Sequence, residues 1–397
     1  MTLQARVLFA GAGHSQMVAI RHAQSLGYEC YAVDADPSAI GFEFANGFDV
    51  GDIRDPKFIL ACARRFNVNA IVAVATDVAV PSVARACASL GLPSIPVEAA
   101  DISVNKLLQR KRMHSAGLVV PAFMPFQRED EAIANAATIG FPVVIKPSDG
   151  SGSRGVSLVQ DASEVIQAAK DALAVSRAKV ALVEEYIEGA EVSVEGFVLD
   201  GKFHNICISE KTRTPPPYLL DMAVHFPDTL SQSERSEIIE VARNAVSACG
   251  LDNCPVHMEL LRSNRGPVVV ELAARGAGFQ VFTNILPYVT GIDTVNVQLR
   301  LALGETIEIS PQQPLKGAAI IFLSPIPGRL KAVKGLEEAI LVKGVQEVQL
   351  YIKADDVMEE LKCGADRIGH LIVFAENRRE AERQAHLAQS LIKLEMQ

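Results

Sequence analysis

A lysine followed by a glycine- and serine-rich segment is the first group of residues that could do chemistry. Lys146 ends the apolar run at residues 143–145, and residues 148–155 read S-D-G-S-G-S-R-G. Backbone N–H groups in such a segment can point at an anion, and the lysine adds a positive charge beside them. In a Walker A loop the lysine instead follows the glycines and opens a helix. The segment predicts a cover over phosphate groups held between two strands, with a surface hairpin as the alternative.

Two glutamates in neighbouring apolar runs form the second group. Glu259 follows V-H-M at residues 256–258, and Glu271 follows V-V-V at residues 268–270. The turn at residues 263–266 has a suitable length to join two paired strands, so the carboxylates are expected to meet across a hairpin. A carboxylate inside an apolar strand is costly unless a positive charge neutralises it, and Mg²⁺ prefers oxygen ligands. The pattern predicts a Mg²⁺ site, with Mn²⁺ as an alternative ion.

Charged side chains share the face of these carboxylates. Alternate residues of a strand point the same way, so His257 lies beside Glu259, and Arg275 lies on the face of Glu271. His257 either orients a ligand or pairs with a neighbouring side chain. Without a metal, the two acids would form salt bridges to Arg275 or Lys211.

A third group is an apolar strand that ends in acids. Residues 183–191 read V-E-E-Y-I-E-G-A-E. Such a strand can cover an adenine ring, with a carboxylate accepting from the amino group and a backbone N–H donating to a ring nitrogen. The alternative is a solvated strand end.

The order of these groups resembles the ATP-grasp superfamily of carboxylate-amine ligases. The resemblance implies that Lys106 and Lys146 contact ATP phosphates, that Glu184 and the backbone of Ile187 hold adenine, and that Glu191 holds the ribose. It also implies that Glu259 and Glu271 carry Mg²⁺, and that Arg275 and Lys146 are catalytic, with Arg275 stabilising the transferring phosphoryl group. The full set of ATP-binding residues it implies is Lys106, Lys146, Ser148, Gly150, Ser151, Gly152, Ser153, Gly155, Glu184, Glu185, Tyr186, Ile187 and Glu191.

One departure from the family pattern concerns the metal. Many members carry an asparagine two residues after the second glutamate, whereas this chain has Ala273, which cannot bind a metal. The form E-L-A-A-R, followed by G-A-G, is similar to the dipeptide-forming L-amino-acid ligase branch, as is V-H-F-P at residues 224–227. The candidate substrate residues are Lys211, Arg213, His225, His257, Gly276 and Gly278. Lys211 and Arg213 are expected in a loop near the substrate, or in a purely structural connection.

The first glycine-rich turn supports two alternative functions. Residues 11–16 read G-A-G-H-S-Q, and Asp34 ends the next predicted strand, as in a dinucleotide-binding fold. Gln16 replaces the third glycine of that fingerprint. The turn also resembles the purine-biosynthetic members of the superfamily. A purine-precursor ligase or carboxylase and a nicotinamide-dependent oxidoreductase are therefore the alternatives.

The element pattern predicts an α/β unit followed by α+β units. We expect a Rossmann-like domain at residues 1–100 and an ATP-grasp domain at 101–304, with a small lobe to about residue 183 and a large lobe from 184. A C-terminal α+β subdomain would occupy residues 305–397.

Composition limits the partners. A net charge of −9 disfavours nucleic-acid and acidic-membrane surfaces. Seven cysteines without C-x-x-C spacing suggest a reducing compartment and no structural zinc. The apolar stretch at residues 7–10 is too short for a signal core or a membrane span, so we expect a cytoplasmic protein. A homodimer is compatible with the sequence, which does not determine the oligomeric state.

Together these features predict an ATP-dependent carboxylate-amine ligase. It would form an amide or peptide bond through an acyl phosphate, with an amino acid as the carboxylate substrate and a small-molecule amine as the second substrate.

Overall fold

The computed structural model describes residues 4–150 and 152–397, so the predicted phosphate-loop residue Ser151 lies outside the described residues. The first part of the chain alternates strands and helices. In order, its elements are β1 (Arg6–Ala10), α1 (His14–Ser25), β2 (Glu29–Asp34), a 3₁₀ turn (Ile40–Glu43), β3 (Gly47–Val50), α2 (Pro56–Arg65), β4 (Ala70–Val72), α3 (Val80–Leu90) and α4 (Val97–Ser103). The strands form a parallel sheet in the order β3-β2-β1-β4. This confirms the βαβ pattern expected from the alternating apolar runs.

A second, antiparallel sheet is built from the next elements. They are α5 (Lys106–Ser115), β5 (Phe123–Phe126), α6 (Glu129–Ile139), β6 (Val143–Pro147), β7 (Ser157–Val159), α7 (Val165–Val175) and β8 (Ala181–Glu185). The strand order is β5-β8-β6-β7, and α6 and α7 cover a separate hydrophobic cluster on this sheet. The glycine-rich segment therefore connects β6 to β7, between two strands as the sequence predicted.

An eight-stranded sheet forms the largest layer. Its elements and those packed on it are β9 (Ala190–Leu199), β10 (Lys202–Arg213), β11 (Asp221–Phe226), α8 (Gln232–Cys249), β12 (Cys254–Ser263), β13 (Gly266–Ala273), a π-helical turn (Val281–Ile285), α9 (Leu286–Thr290), α10 (Thr294–Ala302) and β14 (Gly317–Leu323). The C-terminal elements are β15 (Gly328–Lys334), α11 (Leu336–Ile340), β16 (Val345–Leu350), β17 (Val357–Met358), a 3₁₀ turn (Gly364–Asp366), β18 (Gly369–Ala375), α12 (Arg378–Leu391) and β19 (Lys393–Met396). The large sheet has the order β13-β12-β9-β10-β11-β14-β18-β16, and β17-β15-β19 form a small one.

The large sheet runs across the predicted boundary at residue 304. Strand β11 pairs with β14, which places Val224 opposite Ile320. The first sheet is joined to the large sheet as well, because Leu8 and Met258 belong to one hydrophobic cluster. The domain boundaries stay predictions, since shared packing connects all three parts of the chain.

The β12–β13 pair contains a bulge that the sequence analysis did not foresee. Glu259 lies opposite Glu271, and Leu260 lies opposite Val269, so Val270 has no partner residue. Met258 and Leu260 pack behind the sheet, whereas Val270 is only half-buried and does not. A bulge re-aims the side chains beside it, and this one keeps both glutamates on the same face.

No helix among the described residues is both long and apolar enough to cross a bilayer.

Candidate active site

Two cavities meet along one face of the eight-stranded sheet. The lysine cleft, lined by Lys106 and Lys146, lies between the antiparallel four-stranded sheet and strands β12 and β13 and has a volume of about 150 Å³. The arginine cavity, lined by Arg275 and Arg367, has a volume of about 330 Å³. Four residues line both, and they are Ser153, Asp221, Glu259 and Glu271. These four residues are the junction of the two cavities.

A buried charge cluster forms one wall of the lysine cleft. Lys146 Nζ lies 2.7 Å from Glu184 Oε2, and Arg110 Nε donates to Glu184 Oε1 at 2.9 Å. Burial lowers the pKa of Lys146 to about 8, although the Glu184 carboxylate opposes that shift. Burial alone would raise the pKa of Glu184, but Arg110 and Lys146 together hold it below its ordinary value. The cluster fixes Lys146 in the cleft as a partly desolvated ammonium.

This cluster engages Glu184, whose role toward adenine stays a prediction. Both of its carboxylate oxygens are engaged by cations, so the side chain is already occupied in the position where adenine recognition was expected. Arg110 was missed by the sequence analysis. The available signal was its position four residues after Lys106 on α5, because residues at that spacing share a helix face.

The rest of the lysine cleft suits a flat apolar group. Tyr186 and Ile187 follow β8 and line the cleft, facing apolar residues such as Val144 and Leu261. Glu185 also lines it, and its Oε2 accepts from the backbone N–H of Ala122 at 3.1 Å. The roles of these residues toward adenine stay predictions.

Helix α5 starts at the end of the cleft where the glycine-rich loop lies. Asn105 caps the helix by accepting from the N–H of Leu108, which places Lys106 in its first turn. Lys106 Nζ donates to Glu271 Oε1 at 3.0 Å and to the carbonyl of Gly150 at 2.8 Å. The Lys106 backbone N–H also donates to the carbonyl of Ser148. The helix start is therefore tied to both the loop and the second glutamate.

The loop itself adopts conformations that favour glycine. Gly150, Gly152 and Gly155 all have positive φ, and so does Ser153. Gly150 and Ser153 line the lysine cleft, while Gly152 and Ser153 line the arginine cavity. Of the described loop residues that the sequence analysis named, Ser148 and Gly155 line neither cavity. The loop thus lies over the junction.

Lys211 is the centre of a second charge cluster. Its Nζ lies 2.7 Å from Glu191, 3.0 Å from Asp221 and 2.5 Å from Glu259. Burial would lower the pKa of Lys211, but Asp221, Glu191 and Glu259 raise it well above its ordinary value. Burial is also the main reason why the pKa of Glu191 rises to about 7. The prediction of a loop was wrong here, because Lys211 and Arg213 belong to strand β10.

Glu191 is held by two cations. Lys211 contacts one carboxylate oxygen, and Arg213 NH1 donates to the other at 2.7 Å. Glu191 and Arg213 both line the lysine cleft. The prediction that Glu191 holds the ribose stays a prediction.

The donor set at the junction fits a divalent cation. Glu259 and Glu271 face each other across the strand pair and open into both cavities. Oxygen atoms of Glu191, Asp221 and Glu259 lie within 4.8 Å of one another, so Asp221 adds a carboxylate that the sequence analysis missed. The alternative salt bridge is present as well, since Lys211 contacts Glu259. Glu271 pairs with Lys106 rather than with Arg275.

Arg275 enters the second cavity with a carboxylate partner from the first sheet. Its Nε and NH2 donate to Asp77 at 2.8 and 3.0 Å, which is a bidentate pair. Burial would lower the pKa of Arg275, but Asp77 raises it. Asp77 lies just beyond the carboxyl end of β4, the edge at which functional side chains of parallel sheets collect. No local sequence pattern distinguishes Asp77 from other acidic residues of the first hundred.

His257 pairs with a neighbouring side chain, which is one of the two interpretations that the sequence offered. Its Nδ1 lies 2.6 Å from Glu195, and its Nε2 lies 3.5 Å from Glu259. Burial would lower the pKa of His257, but Glu195 and hydrogen bonds to both acids raise it to about 9. At neutral pH the imidazole is therefore a cation beside the junction.

His225, which the sequence placed among the substrate residues, points away from both cavities. Its strand neighbours Val224 and Phe226 line the arginine cavity, and alternate residues of a strand face opposite sides. The His225 ring lies instead 3.5 Å from Glu382 on α12. The prediction that His225 contacts substrate was wrong for this reason.

The two glycines after Arg275 have different surroundings. A Cβ atom at Gly276 would lie 2.1 Å from the Phe282 ring, so close packing requires glycine there. Gly278 lines the arginine cavity, and a Cβ atom there would meet open space. Only Gly278 is therefore placed to contact a substrate.

The glycine-rich turn of the first sheet is filled by its own side chain. Gln16 is buried, and its Nε2 donates to the carbonyl of Val74. A Cβ atom at Gly11 would meet Gln16 Cδ at 3.3 Å. Asp34 accepts from the backbone N–H of Ala12 at 2.7 Å. Because the Gln16 side chain packs against Gly11 and Gly13, it fills the turn that a pyrophosphate would approach, and the geometry does not support the nicotinamide alternative.

Two protein families match consecutive parts of the chain. Residues 139–283 match the family described as ATP-grasp domain. Residues 320–397 match the family described as L-amino acid ligase C-terminal domain 2. The first match contains the loop, both glutamates and Arg275.

Curated relatives are identical to the chain at about a quarter of the aligned positions. It is 28% identical over 305 residues to the uncharacterized protein y4rH of Sinorhizobium fredii, covering 76% of this chain and 63% of that protein. It is 28% identical to the alanine–anticapsin ligase of Bacillus subtilis, covering 61% and 55%. It is 23% identical to an L-arginine-specific L-amino acid ligase of Bacillus subtilis, covering 74% and 72%. The chain spans less than two thirds of the length of the first two relatives.

Solved structures support the same fold. The L-amino acid ligase from Bacillus licheniformis matches with a TM-score of 0.87 and 21% identity, covering 100% of both chains. A phosphoribosylglycinamide synthetase from Anaerococcus prevotii matches with a TM-score of 0.76 and 18% identity, covering 99% of this chain and 100% of that one. These matches confirm the ATP-grasp fold that the sequence predicted.

Proposed function

We propose that the chain is an ATP-dependent carboxylate-amine ligase, because residues 139–283 match the ATP-grasp domain family and residues 320–397 match the L-amino acid ligase C-terminal domain 2 family. It would form an amide or peptide bond through an acyl phosphate, with an amino acid as the carboxylate substrate. The relatives named as amino acid ligases support this reaction class.

The observation that carries the proposal is the junction of the two cavities. The lysine cleft offers apolar walls for a base and two lysines for phosphates. The arginine cavity opens from its phosphate end and holds Arg275. A carboxylate bound in the arginine cavity would meet the γ-phosphate of a nucleotide in the lysine cleft only at the junction, and such alignment is the main protein contribution to phosphoryl transfer.

In the first step, a carboxylate oxygen would bond to the γ-phosphorus while the bond to the β-phosphate oxygen breaks, releasing ADP. Lys106 and Lys146 would hold the phosphates, and the loop would exclude water above them. Arg275, fixed by Asp77, would stabilise charge on the transferring group.

In the second step, an amine would attack the acyl carbon and expel phosphate, and the amine proton would leave to solvent or to phosphate. Gly278 lines the same cavity, so its backbone N–H is a candidate donor to the oxyanion, together with Arg275. Glu259 and Glu271, with Asp221 nearby, would hold Mg²⁺. A bound Mg²⁺ supplies neutralisation of phosphate charge.

The seven cysteines are all free, which agrees with a reducing compartment, and we infer that the enzyme acts in the cytoplasm.

The test measures ADP release from Mg²⁺-ATP with a panel of amino acids, with hydroxylamine as a trap for acyl phosphate. We expect ADP release to require an amino acid and the trap to yield a hydroxamate. Glu271→Gln should lower both by about 10²-fold or more, whereas Glu240→Gln, on the exposed face of α8, should change neither. Turnover only with glycinamide or aminoimidazole ribonucleotide would instead identify a purine-precursor enzyme.

A further inference from the structure

A turn at the edge of the arginine cavity has an unusual backbone. The carbonyl of Gly278 accepts from the N–H of Val281 at 3.0 Å, which closes the turn. Its two central residues, Phe279 and Gln280, have φ of +49° and +59°. Positive φ at both central positions defines a type I′ turn, which favours asparagine and glycine because larger side chains disfavour this conformation. The Gly278 turn (residues 278–281) therefore needs support from outside its own sequence.

The side-chain amide of Gln280 is held at both ends. Its oxygen accepts from Asn284 Nδ2 at 2.6 Å, within the π-helical turn that follows. Its nitrogen donates to Glu347 Oε2 on strand β16, 67 residues further along the chain. The Gln280 amide thus links a left-handed backbone position to the C-terminal part of the protein.

The Phe279 ring gives the turn a second, weaker support. Its centroid lies 4.8 Å from that of Phe322 in an edge-to-face arrangement and 6.0 Å from that of His370. The ring packing is partial, because Phe279 is 43% exposed. Phe322, His370 and Glu347 all lie in the segment that matches the L-amino acid ligase C-terminal domain 2 family. This segment therefore holds the turn through both of its central residues.

Glu347 is itself fixed by neighbouring side chains. Its Oε1 lies 3.6 Å from Nε2 of the buried His370, and Nδ1 of that ring lies 2.5 Å from the hydroxyl of Tyr351. Strand β16 also pairs with β18, which places Glu347 opposite Ile372. Glu347 lines neither the lysine cleft nor the arginine cavity. Any effect of Glu347 on the reaction must therefore pass through the residues that it contacts.

The Gly278 turn begins at the residue whose N–H is the candidate oxyanion donor. Gly278 lines the arginine cavity, and the turn conformation determines where its peptide group lies. Arg275 is fixed independently, by its bidentate pair with Asp77. Loss of the Glu347 contact should therefore displace Gly278 and leave Arg275 in place. A donor to a developing oxyanion has to be held in advance, and a small displacement lowers the rate strongly.

We propose that Glu347 is a positioning residue, which holds the Gly278 turn through Gln280 in the conformation that directs the Gly278 N–H to the oxyanion. This assignment rests on the proposed ligase function. In the second step the amine bonds to the acyl carbon and a carbonyl electron pair moves onto oxygen, and that pair returns as phosphate leaves. The C-terminal segment thereby acts on amide formation without touching the substrate.

The first test uses the different backbone preferences of alanine and glycine at position 280. Both substitutions remove the amide, but glycine adopts positive φ freely and alanine does not. Gln280→Ala should lower kcat for hydroxamate formation by about 10-fold, and Gln280→Gly by less than about threefold. If Gln280 only stabilised the helical turn after it, alanine would be the better replacement, since glycine disfavours helix. Equal losses, or a larger loss with glycine, would overturn the proposal.

The second test changes Glu347 itself. Glu347→Ala should lower kcat by about 10-fold and leave the KM for ATP within about twofold of wild type. Glu347→Gln keeps an oxygen that accepts from Gln280 Nε2, so kcat should stay within about twofold. In Gln280→Gly enzyme, Glu347→Ala should cause no further loss, because the link is already absent. A tenfold loss in that background as well would overturn the link, and the exposed Glu359→Ala is the matched control.

Rapid-quench measurement of ADP separates the two steps of the reaction. In Glu347→Ala, the first ADP per enzyme should form at the wild-type rate and later turnovers should be about 10-fold slower, because only the second step uses Gly278. A first turnover slowed by the same factor would overturn the assignment of Glu347 and leave the ligase proposal intact. A wild-type enzyme that forms no hydroxamate from any amino acid would overturn both.

Discussion

The lysine cleft and the arginine cavity satisfy their buried charges in different ways. In the lysine cleft, Lys146 and Arg110 share Glu184, and Lys106 pairs with Glu271. Among the described residues, the lysine cleft has one buried atom without a partner, Arg110 NH1. The arginine cavity has four, which are Ser193 Oγ, Ser209 Oγ, Glu195 Oε2 and Arg367 Nε. The cleft therefore has most of its buried charges paired before any ligand binds, whereas the cavity leaves more hydrogen-bonding capacity for a substrate. Charges that are fixed in advance suit phosphoryl transfer, a step that many enzymes share. Buried polar atoms without a partner suit the recognition of one particular substrate, because a wrong ligand leaves them unpaired.

The largest effect is expected from breaking the charge cluster of the cleft. Lys146→Met should reduce ADP release by about 10²-fold or more, because a preorganised phosphate contact is lost. It should also lower the free energy of unfolding by about 2 kcal/mol, since Glu184 loses a charged partner while Arg110 remains. Steady-state kinetics and urea unfolding measure the two effects. Lys170→Met on the exposed side of α7 is the matched control, and wild-type rates in Lys146→Met would contradict the role of the cluster.

The next largest effect is expected from the Asp77–Arg275 ion pair, which joins the parallel sheet to the arginine cavity. Asp77→Asn should lower kcat by about 10-fold or more, because Arg275 loses the carboxylate that fixes it. The KM for ATP should change little, since Asp77 does not line the lysine cleft. Asp52→Asn, an exposed residue of the same part of the chain, should behave as wild type. A rise in the KM for ATP without a change in kcat would contradict the proposal that Arg275 stabilises the transferring phosphoryl group.

The pKa of Lys146 predicts a pH dependence that originates in the lysine cleft. The folded-state pKa of about 8 lies below the ordinary lysine value, so the ammonium loses its proton as pH rises through 8. The kcat/KM for ATP should therefore fall above pH 8, by about tenfold at pH 9. Lys146→Arg keeps its charge and should remove this decline. A pH profile of kcat/KM that is the same in both enzymes would show that another group titrates.

The smallest effect on activity and stability is expected from a change in the arginine cavity. Ser209→Ala removes a buried hydroxyl that has no partner, so the free energy of unfolding should stay within about 0.5 kcal/mol of wild type or rise. The KM for one amino acid substrate should rise by about threefold, because a hydrogen bond to a neutral donor or acceptor is lost. Chemical unfolding and substrate kinetics check both, with the exposed Ser89→Ala as control. A loss of stability like that of Lys146→Met would remove the contrast between the two regions.

Much of the fold followed from local patterns in the sequence. Alternating runs predicted the parallel sheet, and the turn between Glu259 and Glu271 predicted their pairing, which the register confirms. The glycine-rich loop between two strands was also predicted from its flanking runs. These features are visible because strand period and turn chemistry act over a few residues.

The partners of the functional side chains were not predictable in this way. Asp77 and Arg275 are 198 residues apart, and Arg110 and Glu184 are 74 apart, so only tertiary packing brings them together. His225 was assigned to the site from a resemblance, but the strand period of β11 turns it toward α12. Arg367 lies in a segment without a motif, and only tertiary packing brings it into the arginine cavity beside Asp221 and Phe322.

The central claim is that a carboxylate in the arginine cavity attacks the γ-phosphate at the junction. Its most direct test uses an amino acid with both carboxylate oxygens replaced by ¹⁸O, incubated with unlabelled Mg²⁺-ATP and an amine until product forms. One oxygen of the acyl phosphate stays with phosphorus when the amine displaces it. We therefore predict one ¹⁸O atom in each phosphate released, detected by mass spectrometry. Product formation with unlabelled phosphate would contradict the account.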